Sequence, residues 1–309
     1  MGASPLGRAL VIANPTANRG EGAEGAAFVQ RFLDSYRGAT TAHRLILTKT
    51  AGDAQGLARE AAGFDTVIAL GGDGVIHEVV NGLMERDVSS RPQLGIIPMG
   101  SGNDYARTLG MAINDPSGAL VQLVRGHAAP LEVGRVNDVH FMETLSFGMD
   151  AAIALDTVRR RQEETTSQHG EGLFITSGIR IFSEGSSGWP CRARFDERPE
   201  ITLPTVIFAV QVGPTYGGGF AVCPAADPSD GLLDVCYNVK IPSRPWLLAL
   251  LGLARFGRHA SSSCVNLLRC THATIDFETQ PPCQVDGERL CGTHFEVSVI
   301  PRALRVIVP

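Results

Sequence analysis

Apolar residues along this chain fall into two rhythms. In the first, short apolar runs alternate with segments whose apolar residues recur at helical spacing. Arg8-Ala9-Leu10-Val11-Ile12-Ala13, Leu45-Ile46-Leu47 with Thr48, residues 66–70 and Leu94-Gly95-Ile96-Ile97-Pro98 read as buried strands. Helical patterns cover 25–36 and 54–62. Another follows Gly74, where Ile76, Val79, Val80 and Leu83 fall at i, i+3, i+4 and i+7. A fourth opens near Asp104 and runs through Leu109. Strands alternating with helices predict a parallel sheet with right-handed crossovers.

From about Pro130 the rhythm becomes strict alternation. Leu131-Glu132-Val133-Gly134-Arg135-Val136, then 205–212, 234–239, 273–277 and 295–300, predict short strands separated by turn residues. Helical stretches interrupt near 149–164 and 246–258. The fold class is therefore an α/β N-terminal domain with a Rossmann-like parallel sheet, residues 1–129, followed by an antiparallel β-sandwich domain, residues 130–309. The closing apolar segment within 303–309 either completes the sandwich or returns to the first domain.

Composition narrows the functional classes. Of 309 residues, 44% are hydrophobic and 19% charged, which is the balance of a globular protein with a sizeable core. A net charge of −5 argues against a nucleic-acid partner, while local basic patches keep a membrane surface open. The 7 cysteines all lie in the second half, are odd in number and form no CxxC pair. Reduced thiols in a cytoplasmic protein are the expectation, without zinc or disulfides. No stretch approaches a signal-peptide core or the roughly 18 apolar residues of a transmembrane segment.

The chemistry gathers where strands meet glycine. Gly71-Gly72-Asp73-Gly74 joins an apolar strand to an amphipathic helix. Its glycines permit close approach and left-handed backbone, and the helix start favours phosphate. Asp73 falls where a metal bridging phosphates is expected. Gly100-Ser101-Gly102-Asn103-Asp104 repeats the layout, with an Asn/Asp pair suited to capping. Asn14, Thr48 and both glycine turns all fall beyond the carboxyl ends of strands, the ligand-binding rim of such sheets. Neither turn is a Walker A loop, a GxGxxG or a kinase glycine loop. HExxH fails because position 81 is Asn, so His77 is read as a polar-face residue meeting ligand or solvent. Asp286-Gly287-Glu288, taken alone, reads first as a hairpin turn.

Together these motifs resemble the catalytic domain of the diacylglycerol kinase/sphingosine kinase/ceramide kinase family, above all its bacterial soluble lipid kinases. The resemblance rests on Gly71-Gly72-Asp73-Gly74-x-x-x-Glu78-Val79-x-Asn81-Gly82-Leu83 and Pro98-x-Gly100-Ser101-Gly102-Asn103-Asp104-x-Ala106-Arg107. It continues through Tyr216-Gly217-Gly218-Gly219, Pro224-x-Ala226, Asp230-Gly231-Leu232-Leu233-Asp234 and Asp286-Gly287-Glu288. It implies an NAD kinase/diacylglycerol kinase-like fold with the active site in the cleft between domains. It also implies an ATP- and Mg2+-dependent kinase acting on a membrane lipid, foremost diacylglycerol to phosphatidic acid. Nucleotide would be held by Asn14, Thr48, Gly71, Gly72, Asp73, Gly74, Val75, Ile76, His77, Glu78 and Val79, with Ser101, Gly102, Asn103 and Asp104. Glu288 matches the proton acceptor, with Asp73 at the phosphates. A structural Mg2+ would take the Asp230 carboxylate and groups at Asp227 and Leu232.

The implied protein is cytoplasmic, touches the inner face of the membrane peripherally, and is compatible with a homodimer. This sequence departs from the family pattern at Val75, where Thr is usual, and at His77, where Asn is frequent. Asn14-Pro15-Thr16-Ala17-Asn18 also lacks the usual Ser-Gly pair. A NAD kinase-type enzyme and a non-catalytic nucleotide or lipid sensor are the alternatives. The apolar stretch 246–258 is expected as a helix buried in the sandwich, with interfacial docking as the second reading. Arg159-Arg160-Arg161 is expected as a solvated face, or one that meets anionic lipid.

Overall fold

The computed structural model describes residues 5–36, 38–163, 170–184 and 188–309. The chain divides into two units, Met1–Leu131 with Arg302–Pro309, and Glu132–Pro301.

The first unit contains β1 (Arg8–Ala13), α1 (Glu21–Ser35), β2 (Ala42–Leu47), α2 (Asp53–Arg59), β3 (Thr66–Gly71), α3 (Asp73–Met84), β4 (Gln93–Pro98), α4 (Asp104–Thr108) and α5 (Pro116–Arg125). Its strands lie in the order β2-β1-β3-β4, all parallel. All six positions of β3 are buried, so its sequence is an unbroken apolar run rather than an alternation. On α3, Ile76, Val79, Val80 and Leu83 are fully buried, the face their spacing predicts. Gly82 lets α2 approach α3, since a Cβ there would lie 2.9 Å from Ala58 Cβ.

The apolar spacing begins α1 four residues too late, because its first turn is built of Glu21, Gly22 and Ala23 rather than large apolar groups. Helix α5 was not anticipated. Its start is set by Asp115, whose carboxylate accepts the Gly118 N–H at 3.0 Å, and by Pro116 in the first turn.

β5 (His127–Val136) runs from the first unit into the second, which follows as β6 (Val139–Phe141), β7 (Thr144–Gly148), α6 (Met149–Gln162), α7 (Gly170–Glu184), β8 (Trp189–Phe195), β9 (Ile201–Thr205), β10 (Ile207–Gln211) and β11 (Leu233–Asn238). It then continues with α8 (Arg244–Ala254), β12 (Val265–Cys270), β13 (His272–Phe277), β14 (Cys283–Val285), β15 (Glu288–Arg289) and β16 (His294–Val308), whose end returns to the first unit. One sheet has the order β12-β11-β10-β7-β14-β15 and the other runs β16-β13-β8-β9, with β5 on β16 and β6 on β5. Phe147 from the first sheet meets Phe277 and Phe295 from the second, and Phe208 from the first meets Phe195 from the second. The Phe147–Phe295 and Phe147–Phe208 centroids are 4.8 and 5.6 Å apart, and these rings fill the core between the sheets.

Several expectations change. The single run 205–212 is two strands in different sheets, because the chain turns at Val206. Residues 295–300 and 304–308 belong to one strand, β16, whose Val306 pairs in parallel with Leu94 of β4. Strands β8 and β12 and helix α7 were not read from the pattern. The end of the expected helix 149–164, Glu164, lies outside the described residues. Helix α8 is not buried in the sandwich. Only Leu247 and Leu250 are buried, whereas Trp246 and Leu248 are 41% and 43% exposed. Arg159-Arg160-Arg161 is not simply solvated either. Arg159 pairs with Asp156 and Glu163, Arg160 donates to the Thr176 and Ser177 hydroxyls, and Arg161 donates to the Thr157 carbonyl. No helix among the described residues is long and apolar enough to cross a membrane.

Candidate active site

The two glycine turns of the first unit lie back to back. A Cβ on Gly100 would stand 2.6 Å from Gly72 Cα and 2.8 Å from Asn103 Oδ1. A Cβ on Gly71 would stand 2.8 Å from a methyl of Val75. The requirement for glycine is therefore steric. Gly72 has φ −85°, and none of Gly71, Gly72 and Gly74 adopts the left-handed backbone that the sequence suggested.

Asp73 ties the turns together. Its Oδ2 accepts the Asn103 N–H at 2.7 Å and its Oδ1 the Asp104 N–H at 2.9 Å. This carboxylate caps α4, while the Asn103 side chain turns back to the Gly100 carbonyl at 2.6 Å instead of capping as expected.

The rest of the rim divides by role. Asn14 Oδ1 accepts both the N–H and the hydroxyl of Thr16, at 2.9 and 2.8 Å. The Thr48 N–H donates to the Ala13 carbonyl at 2.8 Å. Glu78 accepts the N–H groups of Gly52 and Ala54, at 2.9 and 3.0 Å, and so anchors the start of α2. Ser101 and Gly102 are half-buried at the second turn. Ile76 and Val79 are fully buried, and Val75 nearly so, so only their main chain can meet a ligand. His77 departs from the solvent half of its reading: it is 8% exposed and its Nε2 lies 3.3 Å from Asn81 Nδ2.

In the second unit, Asp286 and Gly287 have φ 47° and 92° and Val285 pairs with Glu288, a two-residue hairpin of the type favoured by right-twisted strands. The Asp286 carboxylate accepts N–H groups from Met142, Glu143 and Thr144 at 3.0 to 3.1 Å, which pins the hairpin to β7 and the loop before it. Glu288, the next residue but one, is exposed.

The acidic loop before β11 is a separate assembly. Asp230 Oδ1 accepts the Leu232 N–H at 3.0 Å, and Asp227 Oδ1 accepts the Ser229 N–H and hydroxyl. Arg269 reaches Asp234 at 3.1 Å and Asp230 at 3.6 Å. Glu132, 1% exposed, accepts the Gly231 N–H through Oε2. Burial, reinforced by the charges of Asp230, Asp227 and Asp234, pushes the Glu132 carboxyl up to about 7. Glu132 Oε1 and Asp234 Oδ2 are buried without hydrogen-bond partners among the described residues. Unmatched carboxylate oxygens of this kind suit a hard divalent cation. No group of three His, Cys, Asp or Glu among the described residues is gathered to hold one, so main-chain oxygens would have to complete such a site. Strands β10, β7 and β14 separate β11 from β15, so the sheet does not bring this loop beside Glu288.

Comparison with known proteins bears on the whole chain. Residues 8–136 match the model of the diacylglycerol kinase catalytic domain, and residues 135–308 that of the YegS C-terminal NAD kinase beta sandwich-like domain. A diacylglycerol kinase of Mycobacterium tuberculosis is 31% identical, over 98% of this chain and 96% of its own. The chain belongs to the diacylglycerol kinase family. A diacylglycerol kinase structure from Bacillus anthracis superposes with a TM-score of 0.77 at 23% identity, covering 98% of this chain and 97% of that one. An NAD kinase from Archaeoglobus fulgidus, solved with ATP, shares the fold with a TM-score of 0.54 at 13% identity, covering 98% and 93%. This protein is thus a lipid kinase, with an α/β first domain and an antiparallel second domain.

Two groups of this lipid kinase escaped the sequence reading. Glu132 was legible as a carboxylate inside an alternating apolar strand, and Asp150 as one at the head of a helix directly after Gly148-Met149. Pattern alone left both without partners. The structure gives Glu132 the acidic loop and gives Asp150 the hydroxyl of Tyr216, at 2.9 Å.

Proposed function

We propose that this lipid kinase transfers the γ-phosphoryl group of ATP to the free hydroxyl of diacylglycerol, forming phosphatidic acid and ADP. The observation that carries the nucleotide reading is the pair of interlocked glycine turns joined by Asp73. Their close backbone contact leaves no side chain between phosphate and main chain, and helix α3 starts at the turn. The ATP held by the fold-related NAD kinase supports the choice of phosphoryl donor.

In this reading Asn14, Thr48, the main chain of 71–79 and 101–104 hold the nucleotide, and Asp73 orients its phosphates. Glu288 accepts the proton of the attacking hydroxyl as the new P–O bond forms and the bond between the γ-phosphorus and its bridging oxygen breaks. Mg2+, when bound with ATP, supplies charge neutralisation on the phosphoryl oxygens. A second, structural Mg2+ would be held by Asp230 with main-chain oxygens at Asp227 and Leu232, beside the unmatched oxygens of Glu132 and Asp234.

The exposed Trp246, Leu248 and Phe256, flanked by exposed Arg244 and Arg258, supply the peripheral contact with an anionic membrane surface.

The test is incubation with labelled ATP, Mg2+ and a mixed lipid extract, in parallel with NAD, followed by mass analysis of the product. Label in phosphatidic acid is expected; label in NAD alone would overturn the reading. Glu288→Gln is expected to lower turnover at least 100-fold with ATP binding retained, and near-normal turnover would remove Glu288 as the base.

A further inference from the structure

The hairpin that presents Glu288 is fastened more firmly than an exposed turn requires. Asp286 and Gly287 form its tip, and both turn their main-chain N–H inward. The Asp286 N–H donates to the Thr144 carbonyl at 2.8 Å, and the Gly287 N–H donates to the side-chain oxygen of Gln284 at 2.7 Å. Together with the N–H groups of Met142, Glu143 and Thr144 that the Asp286 carboxylate accepts, these bonds hold the whole tip.

Within this set Gln284 carries a cost that the sheet does not need. It is fully buried on β14, in register with the equally buried Ser146 of β7. Cys283 and Val285 on either side of Gln284, and Leu145 and Phe147 on either side of Ser146, belong to the core between the sheets. Gln284 and Ser146 therefore share the opposite face. The Gln284 amide nitrogen donates to the Ser146 hydroxyl at 2.8 Å, which turns the amide oxygen toward Gly287. An apolar side chain of the same length would fill this space without taking an amide out of water. The amide is retained, with one end on Ser146 and the other on the turn.

The consequence falls on Glu288. It is exposed, so packing does little to fix its direction, and the backbone from which it hangs must aim its carboxylate. Gly287, its neighbour, has φ 92°, and glycine is the residue freest to leave such a conformation once released. A general base acts only within hydrogen-bond reach of the proton it takes, and a displacement of about 1 Å costs about 100-fold in rate.

We propose that Gln284 is a positioning residue for phosphoryl transfer: anchored by Ser146, it holds the Gly287 N–H and thereby aims the Glu288 carboxylate at the acceptor hydroxyl. The inference rests on the lipid kinase reading with Glu288 as base, and deepens it by naming what keeps that base in place.

The experiment measures kcat and both KM values, on ATP and dioctanoylglycerol, for wild type, Gln284→Met, Gln284→Glu and Ser146→Ala. Each is made with Glu288 intact and with Glu288→Gln, and urea unfolding is followed in parallel. Gln284→Met keeps the length and removes both bonds. Its kcat is expected to fall about 10- to 100-fold, with both KM values unchanged within about twofold. Gln284→Glu retains an oxygen for the Gly287 N–H and is expected to stay within about fivefold of wild type. Ser146→Ala releases only the anchor and is expected to lower kcat about three- to tenfold. It carries the same comparison if Gln284→Met does not fold. In the Glu288→Gln background, either change is expected to alter the residual turnover less than about twofold, because the group it aims is gone. A residue that only stabilised the fold would subtract the same factor in both backgrounds. That result, or an unchanged kcat beside an impaired Glu288→Gln, would overturn this inference alone. Near-normal turnover of Glu288→Gln by itself would remove the base reading, and this inference with it.

Discussion

Gly100→Ala tests the phosphate rim most directly, because the added atom has a known destination. The new Cβ would meet Gly72 Cα at 2.6 Å and Asn103 Oδ1 at 2.8 Å. Carbon atoms pack at about 3.5–4.0 Å, so the two turns must part by about 1 Å. Overpacking of that kind costs about 1–3 kcal/mol. Displacing Asn103 also endangers its bond to the Gly100 carbonyl, worth about 1 kcal/mol. A total loss of about 2–4 kcal/mol is expected in urea unfolding. The same displacement is expected to weaken ATP binding, measured calorimetrically, by about 10- to 100-fold, since 1.4 kcal/mol is about tenfold. Gly56→Ala is the control. It lies in α2 with nothing within 4 Å of the added Cβ, and is expected to stabilise by about 0.5–1 kcal/mol without changing ATP affinity. Unchanged stability of Gly100→Ala would refute the interlock. Lost stability with unchanged ATP affinity would refute the rim as the phosphate site.

Three further outcomes follow from named contacts. Asp73→Ala removes the acceptor of two backbone N–H groups and is expected to cost about 2–3 kcal/mol in urea unfolding, together with ATP binding. Asp150→Asn is expected to alter how stability depends on pH. Burial raises this carboxyl from 3.8 to about 7, with Tyr216, Cys236, Cys283 and His259 the titratable groups around it. Between those values the native state holds a proton that the unfolded chain has released, so wild type loses stability as pH rises. At about 1.4 kcal/mol per unit, the loss relative to the variant is about 4 kcal/mol across pH 4 to 8. Parallel urea curves for the two proteins over that range would refute it. Trp246→Glu with Phe256→Glu is expected to weaken sedimentation with phosphatidylglycerol vesicles at least tenfold, since each buried aromatic is worth about 1.5–3 kcal/mol.

What could be read from the chain depended on whether burial was one-sided or complete. Strands β1, β3 and β4 are covered on both faces, and their apolar runs announced them without tertiary information. The buried face of α3 followed from its spacing in the same way. Strand β12 has no such signature. Most of Val265–Cys270 is exposed or half-exposed, and its place is set by pairing along the whole of β11. The break at Val206 was equally hidden. Residues on either side are both strand-forming, and only the two carbonyl-seeking N–H groups captured by Asn238 show why the chain changes sheets there. A hydrogen bond from a residue more than thirty positions away leaves no local periodicity.

The same limit separates the two halves of the candidate site. The glycine turns were legible because close backbone approach demands glycine, a requirement visible in residue type. The sequence assigned that demand to left-handed backbone and phosphate, whereas the structure adds a different origin, contact between the turns themselves. Asp73 likewise reads as a metal-facing acid until its two oxygens are found capping α4. Both roles can belong to one carboxylate, because the capping bonds fix its orientation. A rigidly capped acid is also a better-positioned one, so on the proposed reading α4 would belong to the nucleotide site. On that argument Gly102→Ala, whose Cβ would stand 2.6 Å from Asp73 Oδ2, should impair ATP binding by displacing the Asp73 carboxylate, even though the Gly102 main chain is unchanged.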